Sequence, residues 1–481
     1  MMMNLSEARV LAGRAGAVMA LLIISWLLVG STASGVPQYE IDLNVNWDDG
    51  TFTGIARVTV ENTAQTAIDE LAFRLFANES EIYGTAAVRV LEASSAGETL
   101  ALGVQSDATV LPVLLSTPLA PGQTTSLALR FEGIAAPSPL SAPPESTGYG
   151  ILTKNPRSLV LTAFYPILAV LDEDGWLLDP TCGIGDVLWS AASDYSVTLR
   201  AIDAVSPATS GRLVSSETKD GHSVHRFEAE SVRDFSLVLT LGYEEAELQS
   251  GSTTLRSWFT PANRVASAAA LEVASDALTV YERRIGPLPS PEIDIIEVPL
   301  YRVAGVEFSG LILVSSSYAL RPSDRFYDII VSHEMAHQWF YAVVGSRPAD
   351  APWLDEGLAT YLSNLFLEEI RGEEAAATEI RRWQEAHRTG RLAHPDLRIA
   401  SPACRFPDSF TYSAFVYDAA AWFFHSVRHE VGDEAFFHAL HLYYAKNAGG
   451  IGTEATLLAS FENACACDLG ELYGAFGFGS D

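Results

Sequence analysis

His333 and His337, with Glu334 between them, are the residues whose types and spacing point most clearly to chemistry. Residues 333–337 read His-Glu-Met-Ala-His. On an α-helix, side chains four positions apart share a face, so both imidazoles can reach one metal ion. Glu334 then lies beside the ion rather than on it, where a carboxylate can act as general base for a metal-bound water. The pattern predicts a zinc site that activates water.

A third metal ligand is expected from the next helix. Residues 353–357 read Trp-Leu-Asp-Glu-Gly, and eighteen residues separate His337 from Glu356. A short loop at residues 346–350 would fold the second helix back against the first. Two histidines and one glutamate leave the fourth position around zinc open for water, whereas a closed site of four protein ligands would be structural. We therefore expect one catalytic Zn²⁺ per chain.

Sequence signals predict where these two helices begin and end. The first helix is expected to begin after Ser323 as N-cap and to stop at Gly345. The second is expected to be capped by Asp350, with Pro352 in its first turn. Glu356 would then lie in the second turn of that helix.

The rest of the chain divides into a strand-rich half and a helix-rich half. From Tyr39 to about Glu247, apolar and polar residues alternate in short runs separated by turn residues, which predicts an antiparallel sandwich or saddle. From about Pro261 the apolar period becomes helical, with a strand pair at 293–298 and 311–314. The helical segments are expected at 261–285, 323–345, 351–370, 372–388, 413–431, 433–447 and 453–464. The fold class is therefore α+β.

The N-terminal segment predicts export from the cytoplasm. Residues 17–29 are apolar, follow the basic residues Arg9 and Arg14, and precede small residues. This order is typical of a secretory signal peptide. An uncleaved anchor, holding residues 15–30 in a membrane, is the alternative, although the apolar run is short for a span of about 20 residues. Either way the protein would be secreted, periplasmic or membrane-anchored with its bulk outside.

Three segments are therefore expected along the chain. Residues 1–34 would be the signal peptide or anchor, residues 36–248 the β domain, and residues 249–481 the catalytic domain. The 60 acidic residues outnumber the 30 basic ones, which gives a formal charge of −30. Such a surface repels phosphate backbones, so nucleic acid is excluded as a partner.

Four cysteines are too few for a disulfide scaffold. Cys465 and Cys467 are separated by one residue, which disfavours a bond between them. Pairing of one of the two with Cys404 is the interpretation that the sequence leaves open.

The motifs around the predicted zinc site resemble those of the thermolysin-like gluzincin aminopeptidases, the family of aminopeptidase N. Residues 333–339 and 353–359 are similar to the family's zinc signature with its spacing intact. Residues 304–311, Ala-Gly-Val-Glu-Phe-Ser-Gly-Leu, resemble its exopeptidase motif, and Tyr417 lies where the family carries a catalytic tyrosine. The resemblance covers nearly the whole chain after residue 38. It implies a minimal two-domain, bacterial-type member with a β saddle and a thermolysin-like zincin domain.

The resemblance also implies a role for each matching residue in the cleavage of peptides. Glu307 would hold the free α-ammonium group, and backbone groups near Gly305 would line the bound peptide. Glu334 would take a proton from the attacking water and return it to the leaving amine. Tyr417 would donate its hydroxyl to the developing oxyanion.

The sequence departs from the family pattern at several positions. Phe308 stands where Asn or Tyr is usual, and residues 158–163 contain no Gln or Glu that could serve as a second amino-terminal anchor. Tyr412 is a rival to Tyr417 for the tyrosine role.

Three functions follow from this reading. The first is a zinc aminopeptidase, and the second is a zinc endopeptidase or a peptidase acting on blocked peptides. The third is a non-catalytic binding protein on the same scaffold. The intact metal ligands and Glu334 argue against the binding protein, because a site without catalytic activity has no physical need for a charged base beside a metal.

Overall fold

The computed structural model describes residues 35–105, 107–138, 146–173 and 175–479. The predicted signal peptide or anchor, residues 1–34, lies outside these ranges and stays a prediction. Among the helices that the model describes, none is both long and apolar enough to cross a bilayer.

Alternating apolar and polar residues build the first half from short strands. In the first strand, every second side chain from Tyr39 to Val45 is buried, and those between are mostly exposed. A short helix, α1 (Ser80–Tyr83), interrupts the strands. The strands are β1 (Gln38–Val45), β2 (Thr51–Glu61), β3 (Ile68–Arg74), β4 (Ala87–Ser95), β5 (Glu98–Leu100), β6 (Val110–Leu119), β7 (Thr124–Ile134), β8 (Ala136–Pro137), β9 (Thr153–Lys154), β10 (Ser158–Leu161), β11 (Ile167–Leu168), β12 (Val170–Leu171), β13 (Trp176–Leu177), β14 (Ser193–Ile202), β15 (Ser206–Thr209), β16 (Arg212–Lys219), β17 (His222–Val232) and β18 (Leu237–Thr240).

These strands form one large sheet and several smaller ones. The large sheet has eight strands in the order β16-β17-β14-β1-β2-β7-β4-β5. Its neighbours pair antiparallel, as predicted, except that β1 and β14 run parallel. A five-stranded sheet, β15-β18-β10-β9-β8, packs within the same hydrophobic core. Buried residues of the second half, among them Val306 and Phe308, belong to that core as well.

The second half opens with a five-stranded sheet of order β19-β20-β21-β23-β22. Its strands are β19 (Glu244–Ser250), β20 (Thr253–Phe259), β21 (Glu292–Val298), β22 (Gly305–Phe308) and β23 (Leu311–Ser315). The predicted strand pair is found as β21 and β23, which are parallel neighbours. Because β19 pairs with β20, this sheet begins before the predicted boundary between residues 248 and 249.

Helices form most of the remaining chain, as the sequence predicts. They are α2 (Arg264–Arg284), α3 (Arg325–Ala336), α4 (Trp353–Phe366), α5 (Glu373–Ala393), α6 (Ser409–Ser413), α7 (Ala420–Asn447), α8 (Glu454–Cys465) and α9 (Gly470–Phe476). Two π-helical segments, Leu367–Arg371 and Ala414–Ala419, extend α4 and join α6 to α7. The predicted break near residue 432 is a kink within α7, where Gly432 has a φ of 79°.

The bounds of the two metal-site helices differ from the prediction. Asp324, not Ser323, caps α3 by accepting a hydrogen bond from the backbone N–H of Phe326. The prediction that this helix continues to Gly345 is wrong, because α3 ends at Ala336. Asp350 does not cap α4, which has Pro352 at its N-cap and Glu356 in its first rather than second turn.

Helix α3 cannot continue to Gly345, because Tyr341 has a φ of 149°, far from the helical value. Residues of the first half hold the segment that contains it. The buried guanidinium of Arg233 donates to the carbonyls of Tyr341 at 2.6 Å and Val343 at 3.0 Å. The Tyr341 hydroxyl donates to Asp234 at 2.9 Å. These contacts also tie the two halves together behind the metal-site helix.

Both cysteine pairings differ from the interpretation favoured by spacing. Cys182, in the first half, is bonded to Cys404 in the second half. Cys465 and Cys467 are bonded to each other, although spacing disfavoured it. The end of α8 explains this pair: Ala466 adopts a left-handed backbone conformation that brings the two flanking Cα atoms to 5.2 Å.

Candidate active site

Two imidazoles and one carboxylate converge on a single point between α3 and α4. The Nε2 atoms of His333 and His337 lie 3.1 Å apart. Oε2 of Glu356 lies 3.1 Å from the first of these nitrogens and 3.4 Å from the second. A cation lying among these three electron-rich ligand atoms would stabilise their close approach. Two nitrogens and one carboxylate oxygen, with an open fourth side, fit the preferences of zinc.

Contacts behind the ligands fix their orientation. Nδ1 of His337 lies 3.1 Å from the carbonyl oxygen of Phe340, which assigns the proton to Nδ1 and leaves Nε2 free to bind a metal. Asp355 accepts from the backbone N–H of Glu356 at 2.8 Å and from the hydroxyl of Ser346. Burial raises the pKa of Asp355 to about 6. The sequence analysis did not single out Asp355 as a support for the ligands.

Glu334 lies beside the convergent ligands and is buried. Within the described residues, its Oε2 atom has no hydrogen-bond partner. Burial raises its pKa well above the ordinary value, and the nearby carboxylate of Glu307 raises it further. A Cβ atom at Gly305 would collide with the Glu334 carboxylate, so glycine is required there for the close approach of strand β22 to α3.

Glu307 lies on β22, at the edge of the second-half sheet. Its Oε2 atom is 4.0 Å from Nε2 of His337. Burial raises its pKa to about 7, although the neighbouring imidazole of His337 acts in the opposite direction. Strand β22 pairs with β23 on one side and is the last strand in the sheet order. Gly305, Val306 and Glu307 of this edge strand line a cavity, where an extended peptide could pair with the strand.

Tyr417, which the resemblance implies as the catalytic tyrosine, and its rival Tyr412 have different surroundings. The hydroxyl of Tyr417 donates to Oε1 of Glu356, and its ring stacks on His333 with centroids 5.9 Å apart. Tyr417 lies on the π-helical segment Ala414–Ala419. Tyr412 instead places its hydroxyl against Gly185, where an added Cβ would collide with it. The geometry favours Tyr417 as the tyrosine beside the ligands.

Asp186 is a further carboxylate at the site, and the sequence did not reveal it. Burial raises its pKa well above the usual range, and the carboxylates of Glu307 and Glu356 add to that shift. It follows Cys182-Gly-Ile-Gly185 in a loop of the first half. Residues 158–163, where a second anchor was sought, do not line the cavity. No local pattern around Asp186 could have revealed its place.

Most of these residues line a cavity of about 780 Å³ between the two halves. Tyr149, Ile184, Gly185 and Asp186 come from the first half, and the remaining lining residues come from the second. Phe308, the substituted position of the exopeptidase-like motif, is buried in the hydrophobic core and does not line the cavity. The Phe308 side chain therefore does not contribute to the shape of the cavity.

Comparison with known proteins finds similarity to one peptidase family over part of the chain. Residues 269–476 match the Peptidase family M1 domain. Aminopeptidase N of Lactobacillus helveticus is 26% identical over 274 residues, which are 53% of this chain and 32% of that protein. Aminopeptidase M1-A of Oryza sativa subsp. japonica is 32% identical over 104 residues, 20% of this chain and 12% of that protein. The chain thus matches about a third or less of the length of these curated relatives.

Solved structures show the same fold over most of the chain. A crystal structure of a mutant M1 zinc metallopeptidase from Deinococcus radiodurans has a TM-score of 0.66 and 22% identity, covering 93% of this chain and 95% of that one. A two-domain M1 zinc metallopeptidase mutant bound to L-arginine also has a TM-score of 0.66 at 22% identity, covering 93% and 94%. These matches confirm the predicted fold class.

Proposed function

Because residues 269–476 match the Peptidase family M1 domain, we propose that this protein is a zinc aminopeptidase that removes N-terminal residues from peptides. The observation that carries the proposal is the convergence of His333, His337 and Glu356 on one point, with Glu334 beside it. The donor set fits zinc, so these three residues would hold the ion. When bound, zinc would supply a Lewis acid that activates water and polarises the scissile carbonyl.

Glu334 is the general base in this proposal. Its burial supports the role, because a carboxylate with a raised pKa accepts a proton from water more readily than an exposed one. The proton that it accepts would then pass to the leaving amine. The unpartnered Oε2 atom of Glu334 gives that proton a place to reside without breaking another hydrogen bond.

Tyr417 stabilises the oxyanion in this proposal. Burial and the neighbouring Glu356 raise its pKa well above the usual value, so the phenol keeps its proton and remains a donor. Its hydroxyl already contacts a metal-ligand carboxylate, which places the donor within reach of the reacting carbonyl. A rotation of the phenol away from Glu356 would free the donor for substrate.

Glu307 and Asp186 together would bind the substrate's α-ammonium group. Both carboxylates are buried and line the cavity, and the nearby Glu307 adds to the burial that raises the pKa of Asp186. A cation placed between them would remove that repulsion and allow both to ionise. An aminopeptidase requires such a site, whereas an endopeptidase does not. This pair, with the core position of Phe308, favours the exopeptidase reading over the alternative of blocked peptides.

The first test combines metal analysis with hydrolysis of aminoacyl-coumarin substrates. We expect one zinc per chain, and we expect His333→Ala to lose both zinc and turnover. The matched control is His429→Ala, because His425 and His429 share the four-residue spacing but belong to no metal-ligand cluster in the described part of the chain. Normal turnover by a zinc-free His333→Ala protein would overturn the proposal.

The second test decides between exopeptidase and endopeptidase activity. The same peptide is offered with a free and an acetylated N-terminus, and the products are identified by mass. We expect cleavage of the free peptide alone, and we expect Asp186→Asn and Glu307→Gln to raise KM for it. Equal cleavage of both peptides would establish the endopeptidase alternative instead.

We propose further that the protein acts outside the cytoplasm. The two disulfides, Cys182–Cys404 and Cys465–Cys467, support this location, since such bonds persist in oxidising compartments. N-terminal sequencing of protein recovered from cell fractions would test it. Reduced cysteines and an intact N-terminus in the cytoplasmic fraction would contradict it.

A further inference from the structure

An ion-pair network closes the end of the cavity opposite Glu307. Glu379, on α5, binds two arginines at once: its Oε1 lies 2.8 Å from Nη2 of Arg325, and its Oε2 lies 2.9 Å from Nε of Arg382. Nη1 of Arg382 also donates to both carboxylate oxygens of Asp418, at 2.6 and 2.7 Å. All four residues line the catalytic cavity. We name them the distal arginine network.

The acidic side chains of the network are buried, whereas its arginine side chains are partly exposed. The side chains of Glu379 and Asp418 are 8% and 12% exposed, whereas those of Arg325 and Arg382 are 42% and 53% exposed. A guanidinium group has three nitrogens and five N–H donors. The contacts above involve one nitrogen of Arg325 and two of Arg382, so each arginine keeps donors for a further acceptor. The buried acids therefore hold the arginines in place without using all their donors.

The network and Glu307 lie at opposite ends of α3. Glu307 contacts His337, just past the last turn of the helix, whereas Arg325 is the first residue of the helix. Arg325 and His333 are eight positions apart, which is about 12 Å along a helix axis at 1.5 Å per residue. An extended peptide advances about 3.3–3.6 Å per residue. Three or four residues beyond the scissile bond would therefore span from the metal ligands to the network.

We propose that Arg325 and Arg382 bind the C-terminal carboxylate of short peptides, so that substrates of about four or five residues with both termini free are preferred. This inference rests on the proposed aminopeptidase function and adds its substrate class. An arginine binds a carboxylate through charge-assisted and often bidentate hydrogen bonds, which an amide cannot reproduce. The other charged residues that line the cavity are four carboxylates, which would repel a free C-terminus, and Arg302, which already pairs with Glu81 at 3.6 Å.

The test measures kcat/KM for peptides of two to six residues, each as the free acid and as the C-terminal amide. For the wild-type protein we expect the acid to be preferred by about tenfold or more at the best length. The preference should fall for dipeptides, which are too short to reach the network. Equal rates for acid and amide at every length would overturn the inference.

Variants locate the source of the preference. We expect Arg325→Gln to lower the acid-to-amide ratio toward one by raising KM for the acid, and Arg325→Lys to keep part of it. Arg381→Gln is the matched control, since Arg381 is exposed on the same helix as Arg382 and does not line the cavity. A wild-type ratio in both Arg325→Gln and Arg382→Gln would also overturn the inference. Circular dichroism checks that each variant is folded.

Failure of the inference can be distinguished from failure of the proposed function. If the wild-type protein cleaves peptides but ignores the C-terminal group, the inference alone fails. If it cleaves none, calorimetry with zinc-loaded Glu334→Gln protein and the same acid and amide peptides measures carboxylate binding directly. Tighter binding of the acid would support the carboxylate site, and equal binding would reject it.

Discussion

Tyr417 donates a hydrogen bond to Oε1 of Glu356, the carboxylate whose other oxygen lies 3.1 Å from Nε2 of His333. One carboxylate thus connects a metal ligand to the proposed oxyanion donor. Asp418, the next residue after Tyr417, is held by Arg382 of the distal arginine network. The π-helical segment that carries Tyr417 is therefore fixed from both sides, which orients the phenol toward the metal ligands.

Tyr417→Phe should lower kcat by about 10²–10³-fold, the size expected when one oxyanion donor is lost. KM and zinc content should change little, because the phenol is not a ligand. Steady-state kinetics and metal analysis provide the measurement. Tyr412→Phe is the control, since its hydroxyl lies against Gly185. The assignment of Tyr417 would be wrong if Tyr412→Phe were the variant that lost activity.

Gly305→Ala should lower kcat with zinc still bound. A Cβ at this position would collide with the carboxylate of Glu334, which must move away from the water that it activates. Since general-base catalysis contributes about 10²–10⁴-fold, we expect a loss within that range. Gly474→Ala on α9 is the control, because its Cβ would meet no atom within 4 Å. Normal kcat in Gly305→Ala would show that Glu334 is not held by this contact.

The metal-free protein should become less stable as pH rises from about 6.5 to 8. Burial raises the folded-state pKa of Glu307 to about 7, above the value expected in the unfolded chain. Burial lowers the pKa of His337, but the carboxylates of Glu307 and Glu356 together raise it well above its usual value. Stability that depends on these bound protons is present at low pH and lost as pH rises through the folded-state pKa.

Glu307 alone should lower the free energy of unfolding by about 1 kcal/mol across that range. Thermal unfolding of chelator-treated protein at several pH values measures the change. Glu307→Gln removes the titrating group, so its unfolding temperature should depend less on pH. Added zinc should raise the unfolding temperature, because binding to the folded state alone stabilises it. An unfolding temperature that increases from pH 6.5 to 8 would contradict this account.

The metal ligands could be predicted from sequence because their geometry is local. His333 and His337 share one helix face through spacing alone, and Glu356 follows on the next helix after a short loop. Strand β22 and its glycine were recognisable from a motif, but not as an edge strand. The metal ligands, whose positions follow from helical spacing and a short loop, could therefore be predicted from the sequence.

The rest of the site depends on contacts between distant parts of the chain. Asp186 reaches the cavity from a loop of the first half, and no spacing rule connects it to residues more than a hundred positions away. Similarly, Arg233 and Asp234 of the first half hold the non-helical segment after α3, where the sequence predicted that the helix would continue. The prediction of cysteine pairing was wrong for the same reason, since a disulfide depends on the distance between Cα atoms rather than on spacing in the sequence.

The Cys182–Cys404 disulfide holds the loop that brings Asp186 to the cavity. Ile184, Gly185 and Asp186 line the cavity within four residues of Cys182. The bond closes a segment with a sequence separation of 222, whereas the Cys465–Cys467 bond has a separation of 2. In the chain-entropy model, the long closure stabilises the folded state by about 5 kcal/mol and the short one by much less.

Replacing Cys182 and Cys404 by serine should therefore lower both stability and substrate affinity. We expect a lower unfolding temperature and a higher KM for peptides with free N-termini, because Asp186 is no longer held beside Glu307. The paired replacement of Cys465 and Cys467 by serine is the control, and it should leave KM unchanged. Calorimetry and steady-state kinetics on both double variants provide the measurement. If the first variant lost stability but kept the wild-type KM, the disulfide would support the fold without positioning the Asp186 loop.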